Sequence, residues 1–362
     1  MIVVGQTPPP YHGQAIMTSY LVEGTYDSLD LHHIRMNFSS HMKEVGKMKL
    51  MKIPMMAYLI CQIWYWRFRG YKNLFYPPAS GNLVPIIRDV IVLGCTRFLF
   101  DKTIFHFHTA DLTSAYEKLP SWLKPLYRNA YFKPDLSILV AENSGIDAEV
   151  IHSIKTVVVP NAVPDFGTVC RQDRNETPRI LFVGAVTAEK GVMELVEAAG
   201  RLASHKCDFE VDIVGAFVSD EFENRLKDRI NSLGIGDRVD LLGRISDNGK
   251  KNDIYKSADI FCFPSYYSAE TFGLVVIEAM SNGLPVVSTK WRGIQEIVVE
   301  GETGNLVETH DTDLLTERLE ELLGSRQKRH KLGEAGRERF LKNYTLEVYR
   351  QRMEDSIYSA CV

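Results

Sequence analysis

The chain is predicted to be an α/β protein built from two doubly wound, Rossmann-like domains that face a central cleft. Three observations predict it. Short apolar runs alternate with segments of helical spacing, which is how parallel strands buried on both faces by helices appear in sequence. The chain has 362 residues, more than one hydrophobic core usually encloses. Charge is unevenly shared: up to Asp165 there are 16 basic and 13 acidic residues, and beyond it 26 basic and 33 acidic. The break coincides with PNAVPDFGTVCRQDRNETP, a stretch rich in turn formers and without an apolar period. It divides the chain into domains of residues 1–165 and 166–344.

Element by element, the first half offers IVVG, HHIRMNF, NLFYPP, TIFHFHT, LSILVA and TVVVPN as strands, with helices between them. The second half is more regular. RILFVGAV ends a strand in glycine, and VMELVEAAGRLA follows with apolar residues at helical spacing. EVDIVGA and EFENRLKDRINSLG repeat the unit, and VDLLGR, DIYKSA, DIFCFPS, LVVIEAMSNG and PVVST continue the alternation. LEVYRQRMEDSIYSA reads as a closing helix. Folds of this kind bind ligands at the carboxyl ends of their strands.

Composition excludes several classes. Apolar residues make up 45% and charged residues 24%, a globular rather than disordered balance. With 42 basic against 46 acidic residues, no nucleic-acid partner is expected. Six scattered cysteines form no CxxC pair, so they are expected to be buried small hydrophobes in a reducing compartment. MIVVG leads directly into a strand, unlike a secretory leader. Ile53 to Trp66 is the most lipid-like run, 14 residues interrupted by Gln62, short of the roughly 18 a spanning helix needs. A cytoplasmic protein is expected, peripheral at most on the inner face of the membrane.

The most informative segment is SYYSAETFGLVVIEAMSNGLPVV. Glu270 precedes Thr271, Phe272, Gly273 and Leu274, where a helix is expected to start, and Glu278 lies within that helix among apolar neighbours. Amides at a helix start form an anion site, and a carboxylate in apolar surroundings needs donors such as sugar hydroxyls. Carboxylate, phosphate cradle, carboxylate matches sugar, diphosphate, ribose. The competing reading makes Glu270 a cap and Glu278 a solvated or salt-bridged residue.

Lys190, in VGAVTAEKG, follows a strand and precedes a helix. There it can neutralise a departing diphosphate, or be a surface lysine paired with Glu189. His106 and His108 in TIFHFHT project to one strand face, toward a reacting sugar or into structural hydrogen bonds. In QTPPPYHGQAIMT, Gly13 lets backbone approach a ligand. Asp311 and Asp313 form a DxD, but they precede LLTERLEELL and read as a helix N-cap. No metal site is expected. Residues 41–72 carry seven basic residues against Glu44, with Met48, Met51, Met55, Trp64, Tyr65, Trp66 and Phe68 interleaved. That composition suits an anionic membrane surface, or a core-facing helix with a solvated charged edge.

Together these residues resemble the family 4 retaining glycosyltransferases (group 1), which have the GT-B fold. The strongest match is FPSYYSAETFGLVVIEAMSNGLPVVSTKWRGIQEIVVEGETGNLV, whose core is the spacing of Glu270 and Glu278. The resemblance implies that Glu270 contacts the donor sugar, Glu278 the ribose, and Lys190 with residues 271–274 the diphosphate. It implies that His108 lies beside the anomeric centre, with Gly13 near the diphosphate and Arg244 near the base. A last helix, about 345–362, would pack back on the first domain. Ala185 stands where the family usually has arginine, so Lys190 or Arg244 would carry more of the diphosphate charge.

The expected activity is retaining, metal-independent transfer from a UDP- or GDP-type sugar to a glycan or lipid-linked acceptor in cell-surface polysaccharide or lipopolysaccharide assembly. The nucleotide sugar is a substrate, and no cofactor is expected. The rival expectations are an epimerase or phosphorylase of the same fold, or a sugar-binding protein without chemistry.

Overall fold

The computed structural model describes residues 1–36, 38, 52–79, 83–108, 112–167 and 177–361, with the side chains of Ser114, 144–147 and Asn248 left aside. The chain forms two compact units, Met1–Asn161 with Leu346–Val362, and Ala162–Thr345. Asp165 itself lies inside the second unit. Its carboxylate takes both guanidinium nitrogens of Arg337 at 2.7 and 2.8 Å, and Val163 N donates to Tyr344 O at 3.1 Å.

In the first unit, β1 (Ile2–Gly5), β2 (His32–Arg35), β3 (Asn73–Tyr76), β4 (Lys102–Phe107), β5 (Leu136–Leu139) and β6 (Thr156–Val158) form one sheet. Its order is β2-β1-β3-β4-β5-β6, and every pairing is parallel. Between them run α1 (Gly13–Val22), α2 (Lys52–Phe68), α3 (Leu83–Thr96), α4 (Leu112–Glu117), α5 (Lys124–Tyr131) and α6 (Gly145–Val150). Ile2, Val4, Tyr76, Phe105, Phe107 and Tyr131 belong to its core. Strands β1 and β5 are buried throughout rather than alternately, as expected where helices cover both faces.

In the second unit the sequence alternates β7 (Arg179–Val183), α7 (Val192–Ser204), β8 (Glu210–Val214), α8 (Asp220–Ser232), β9 (Val239–Gly243), α9 (Asn248–Ser257), β10 (Ile260–Phe263) and α10 (Leu274–Ser281). It continues with β11 (Val286–Thr289), α11 (Ile294–Ile297), β12 (Gly304–Val307), α12 (Thr312–Leu323) and α13 (Arg326–Asn343). The sheet order is β12-β11-β10-β7-β8-β9. Local chemistry sets the helices. Leu195, Val196, Ala199 and Leu202 give α7 a buried stripe. Ser219 caps α8 by accepting from Phe222 N, ahead of Asp220, Glu221 and Glu223 in the first turn.

The closing helix α14 (Leu346–Cys361) belongs to the first unit. It buries Tyr349, Met353 and Ile357 at four-residue spacing, and Lys155 Nζ donates to Ser359 Oγ at 2.8 Å.

One expectation changes. Of the described cysteines only Cys262 is buried; Cys61 is exposed, and Cys95, Cys207 and Cys361 are intermediate, all as free thiols. Cys61, Cys95 and Cys361 lie on helices α2, α3 and α14, and Cys207 in the loop between α7 and β8, where a small side chain is tolerated without being enclosed. Cys170 lies outside the described residues, as does the 41–51 part of the basic–aromatic segment. Of the rest of that segment, Lys52–Phe68 form α2, and among the described residues no helix is long and apolar enough to cross a membrane.

Candidate functional site

The second sheet reverses its winding between β7 and β10, which lie side by side. Loops leaving the carboxyl ends of two such strands diverge and leave a crevice, the usual ligand position in open α/β sheets. Lys190 ends the loop after β7, and Glu270 lies in the loop after β10.

The two loops are held together by backbone. Gly191 has φ +75°, and a Cβ there would fall 2.1 Å from Pro264 O. Tyr266 N donates to Glu189 O at 2.9 Å. Only glycine permits both the left-handed turn and the close approach. Lys190 Nζ is thereby brought onto Glu270 Oε2 as an ion pair, with both side chains mostly shielded, 15% and 13% exposed. The ammonium also lies 4.6 Å from the Tyr267 ring centroid and 5.4 Å from that of Phe263, close enough for attraction to the ring faces. Ser265 Oγ donates weakly to the same carboxylate oxygen at 3.5 Å. Lys190 is therefore paired with Glu270, not with the neighbouring Glu189.

Glu270 is not helical. Its amide closes a turn on Tyr267 O at 3.0 Å, and α10 starts only after Gly273, whose φ is +91°. The left-handed glycine interrupts the continuous helix that the sequence permits from Glu270 to Glu278. Thr271 and Phe272 are buried, and Gly293 packs on them so tightly that a Cβ would lie 2.1 Å from Thr271 O. Trp291 Nε1 donates to Tyr267 O at 2.8 Å, bracing the turn from the loop after β11. No side chain caps α10, and helix geometry leaves the amides of Leu274 and Val275 without an acceptor inside the helix.

Glu278 projects from α10 toward α9. Lys251 Nζ donates to Oε1 at 2.6 Å and the Tyr255 hydroxyl to Oε2 at 2.8 Å. The chain itself thus supplies donors that the sequence reading sought in a sugar. Burial and the adjacent carboxylate push the Tyr255 hydroxyl well above its ordinary pKa, so it remains a donor at physiological pH. Arg244 is exposed just after β9, beyond Gly243 at φ +67°. Ala185 is also exposed, beside Gly184 at the end of β7.

The first unit gathers a different set. His106 lies at the end of β4 and His108 immediately after it, with ring centroids 4.0 Å apart, while Phe105 and Phe107 enter the core. Burial lowers the His106 pKa to about 3. Burial first, then His106 and His12, hold His108 well below the usual imidazole value. Both rings are therefore neutral around pH 7. His12 caps α1 by accepting from Ala15 N at 3.4 Å, and its other ring nitrogen lies 3.2 Å from Gln6 Oε1. Gly13 begins α1 directly after this cap. Arg35 braces the same loop, donating to the carbonyls of Thr7, Pro8 and Pro9 at 3.1, 3.0 and 3.0 Å.

Lys251, Tyr255 and His12 were not singled out from sequence. The first two come from α9, a helix with no motif of its own, and imidazole is not among the usual N-cap side chains. The DxD resolves as a cap: Asp311 accepts from Leu314 N at 2.9 Å, and Asp313 pairs with Arg201. Among the described residues no three His, Cys, Asp or Glu side chains cluster to hold a metal ion.

Residues 171–339 match the sequence profile of glycosyl transferases group 1. The D-inositol 3-phosphate glycosyltransferase of Corynebacterium diphtheriae is 32% identical over 188 residues, which is 50% of this chain and 42% of that protein. The capsular polysaccharide biosynthesis glycosyltransferase CapM of Staphylococcus aureus is 29% identical over 51% of this chain and 47% of its own length. The chain thus spans less than half of these curated relatives. In fold it is similar to Anabaena Alr3699/HepE, solved in complex with UDP, with a TM-score of 0.76 over 99% of both chains at 16% identity. The fold is GT-B, and over residues 171–339 the chain is similar to the glycosyl transferases group 1 family.

Proposed function

We propose that this protein transfers a sugar from a nucleoside diphosphate donor, of UDP or GDP type, to a hydroxyl of a glycan or glycolipid, with retention at the anomeric carbon. The observation that carries the reading is the Lys190–Glu270 pair at the β7/β10 switch point, beside the uncapped start of α10. A lysine and a helix N-terminus together favour a dianionic bridge. Lys190 then binds the diphosphate with residues 271–274, Glu270 accepts from hydroxyls of the donor sugar, and Glu278 accepts from the ribose. Arg244 is assigned to the base side, and Gly13 to the approach of backbone to the diphosphate.

The chemistry follows from where charge develops. As the anomeric carbon–oxygen bond breaks, the electron pair goes to the phosphate oxygen, and Lys190 with the α10 amides stabilises it. The acceptor oxygen bonds to the same face, and its proton passes to the departing phosphate oxygen. No step calls for a divalent metal. His108, kept neutral, is assigned to the reacting sugar as a hydrogen-bonding group. Screening nucleotide sugars for thermal stabilisation tests the reading: a ligand at 100 times its Kd adds about 2.7 kcal/mol. Stabilisation by one UDP or GDP sugar is expected, and no response to any would contradict it. Labelled donor without acceptor should remain unepimerised.

A second observation bears on the acceptor. Tyr58, Phe68 and Phe98 stand 66, 76 and 72% exposed on α2 and just after α3. Between Glu44 and Asp101 the only acid is Asp89, which is fully buried and paired with Arg88 at 2.6 Å. Aromatic residues among cations, with Asp101 on Arg67 at 3.5 Å as an exposed acid beside them, suit an anionic bilayer, and hence a lipid-linked acceptor used in cell-surface polysaccharide assembly. Co-flotation with anionic but not neutral vesicles at low salt is expected; flotation with neither would contradict it.

A further inference from the structure

The two donors that hold Glu278 are unlike each other. Tyr255 is buried, its ring 5.8 Å from that of Phe261, and its hydroxyl proton has two acceptors in range. The charged Glu278 Oε2 at 2.8 Å outcompetes Val275 O at 3.4 Å. Nothing can displace this donor without opening the core. Lys251, by contrast, carries its ammonium on a flexible stem and keeps a quarter of its side chain in solvent, 25% exposed. One carboxylate oxygen is anchored from inside, and the other is engaged from the solvent side.

We propose that Tyr255 is a positioning residue that fixes the Glu278 carboxylate for two vicinal ribose hydroxyls, and that Lys251 is the exchangeable donor those hydroxyls replace. The inference rests on the nucleotide-sugar reading of this site. A carboxylate has about four lone-pair positions, so the one bond to Tyr255 leaves room for both hydroxyls once Lys251 turns away. Without Tyr255 the carboxylate would rotate to follow Lys251, and the preformed geometry would be lost.

Calorimetric titration of the full chain with UDP and GDP, and with the same nucleotides lacking both ribose hydroxyls, separates positioning from a merely structural role. Wild type is expected to prefer the ribose form by at least about tenfold, as for hydrogen bonds to a charged group. Tyr255→Phe should lose most of that preference while the Kd of the nucleotide without ribose hydroxyls stays within about twofold, the scatter expected of an untouched contact. Lys251→Met should keep the preference or increase it. Equal weakening of both nucleotides by Tyr255→Phe, or an undiminished preference, overturns the role of Tyr255. Loss of the preference in Lys251→Met overturns the exchange. Glu278→Gln keeps the two failures apart. If it leaves the preference intact, the nucleotide-sugar reading fails; if it abolishes the preference and Tyr255→Phe does not, only this inference fails.

Discussion

Lys190 and Glu270, 80 positions apart in sequence, form a direct ion pair between the loops that follow the adjacent strands β7 and β10. On the proposed function, a diphosphate and a sugar each draw off one member of this pair. Removing either leaves its partner shielded and uncompensated. Lys190→Met is expected to lower turnover about 10²–10³-fold, as for loss of one preorganised electrostatic group, and stability by about 1–3 kcal/mol. Rates of nucleotide release and urea unfolding measure the two effects; wild-type turnover would remove Lys190 from the site.

The close approach of the two loops gives a second expectation. Gly191→Ala meets both a left-handed backbone at φ +75° and a carbonyl 2.1 Å away, whereas Gly301→Ala at φ +72° meets nothing within 4 Å. Gly301→Ala should cost about 1–2 kcal/mol, the conformational term alone. Gly191→Ala should cost more and also reduce turnover, because Lys190 is the preceding residue. Equal unfolding midpoints for the two variants would show that the contact with Pro264 is easily relieved.

The neutral His106 links stability to pH. Its folded pKa is about 3 and its unfolded value about 6.5, so between these values the unfolded chain binds the extra proton. Stability is then full above pH about 6.5 and falls as pH drops toward about 3, by about 1.4 kcal/mol per unit from this group. His106→Asn should flatten the dependence of unfolding free energy on pH across that window. An unchanged slope would mean that His106 is protonated in the folded state.

Asp311 provides a control for metal chemistry. As the cap of α12, Asp311→Ala should cost about 1 kcal/mol and leave turnover, and its response to a chelator, unchanged. A sharp loss of turnover at unaltered stability would show that the DxD acts on substrate.

What sequence revealed and what it hid divide by range. β7, β8, β10 and α7 were legible because apolar periodicity is local, and the carboxylate spacing around α10 pointed to the candidate site. β12, the segment Gly304–Val307, escaped because four residues with Gly and Asn at their start lack a strand pattern. The donors to Glu278 were illegible for another reason. Lys251 and Tyr255 meet it only when α9 and α10 pack, and nothing in α9 announces that contact. The left-handed turn at Gly273 likewise depends on the loop at Gly293 packing beneath it.

The most direct measurement is a crystal structure of the protein with an intact nucleoside diphosphate sugar. The account predicts the diphosphate on Lys190 and the amides at the start of α10, the sugar hydroxyls on Glu270, and the ribose on Glu278. A nucleotide bound away from the carboxyl ends of β7 and β10, with Lys190 still paired to Glu270, would contradict it.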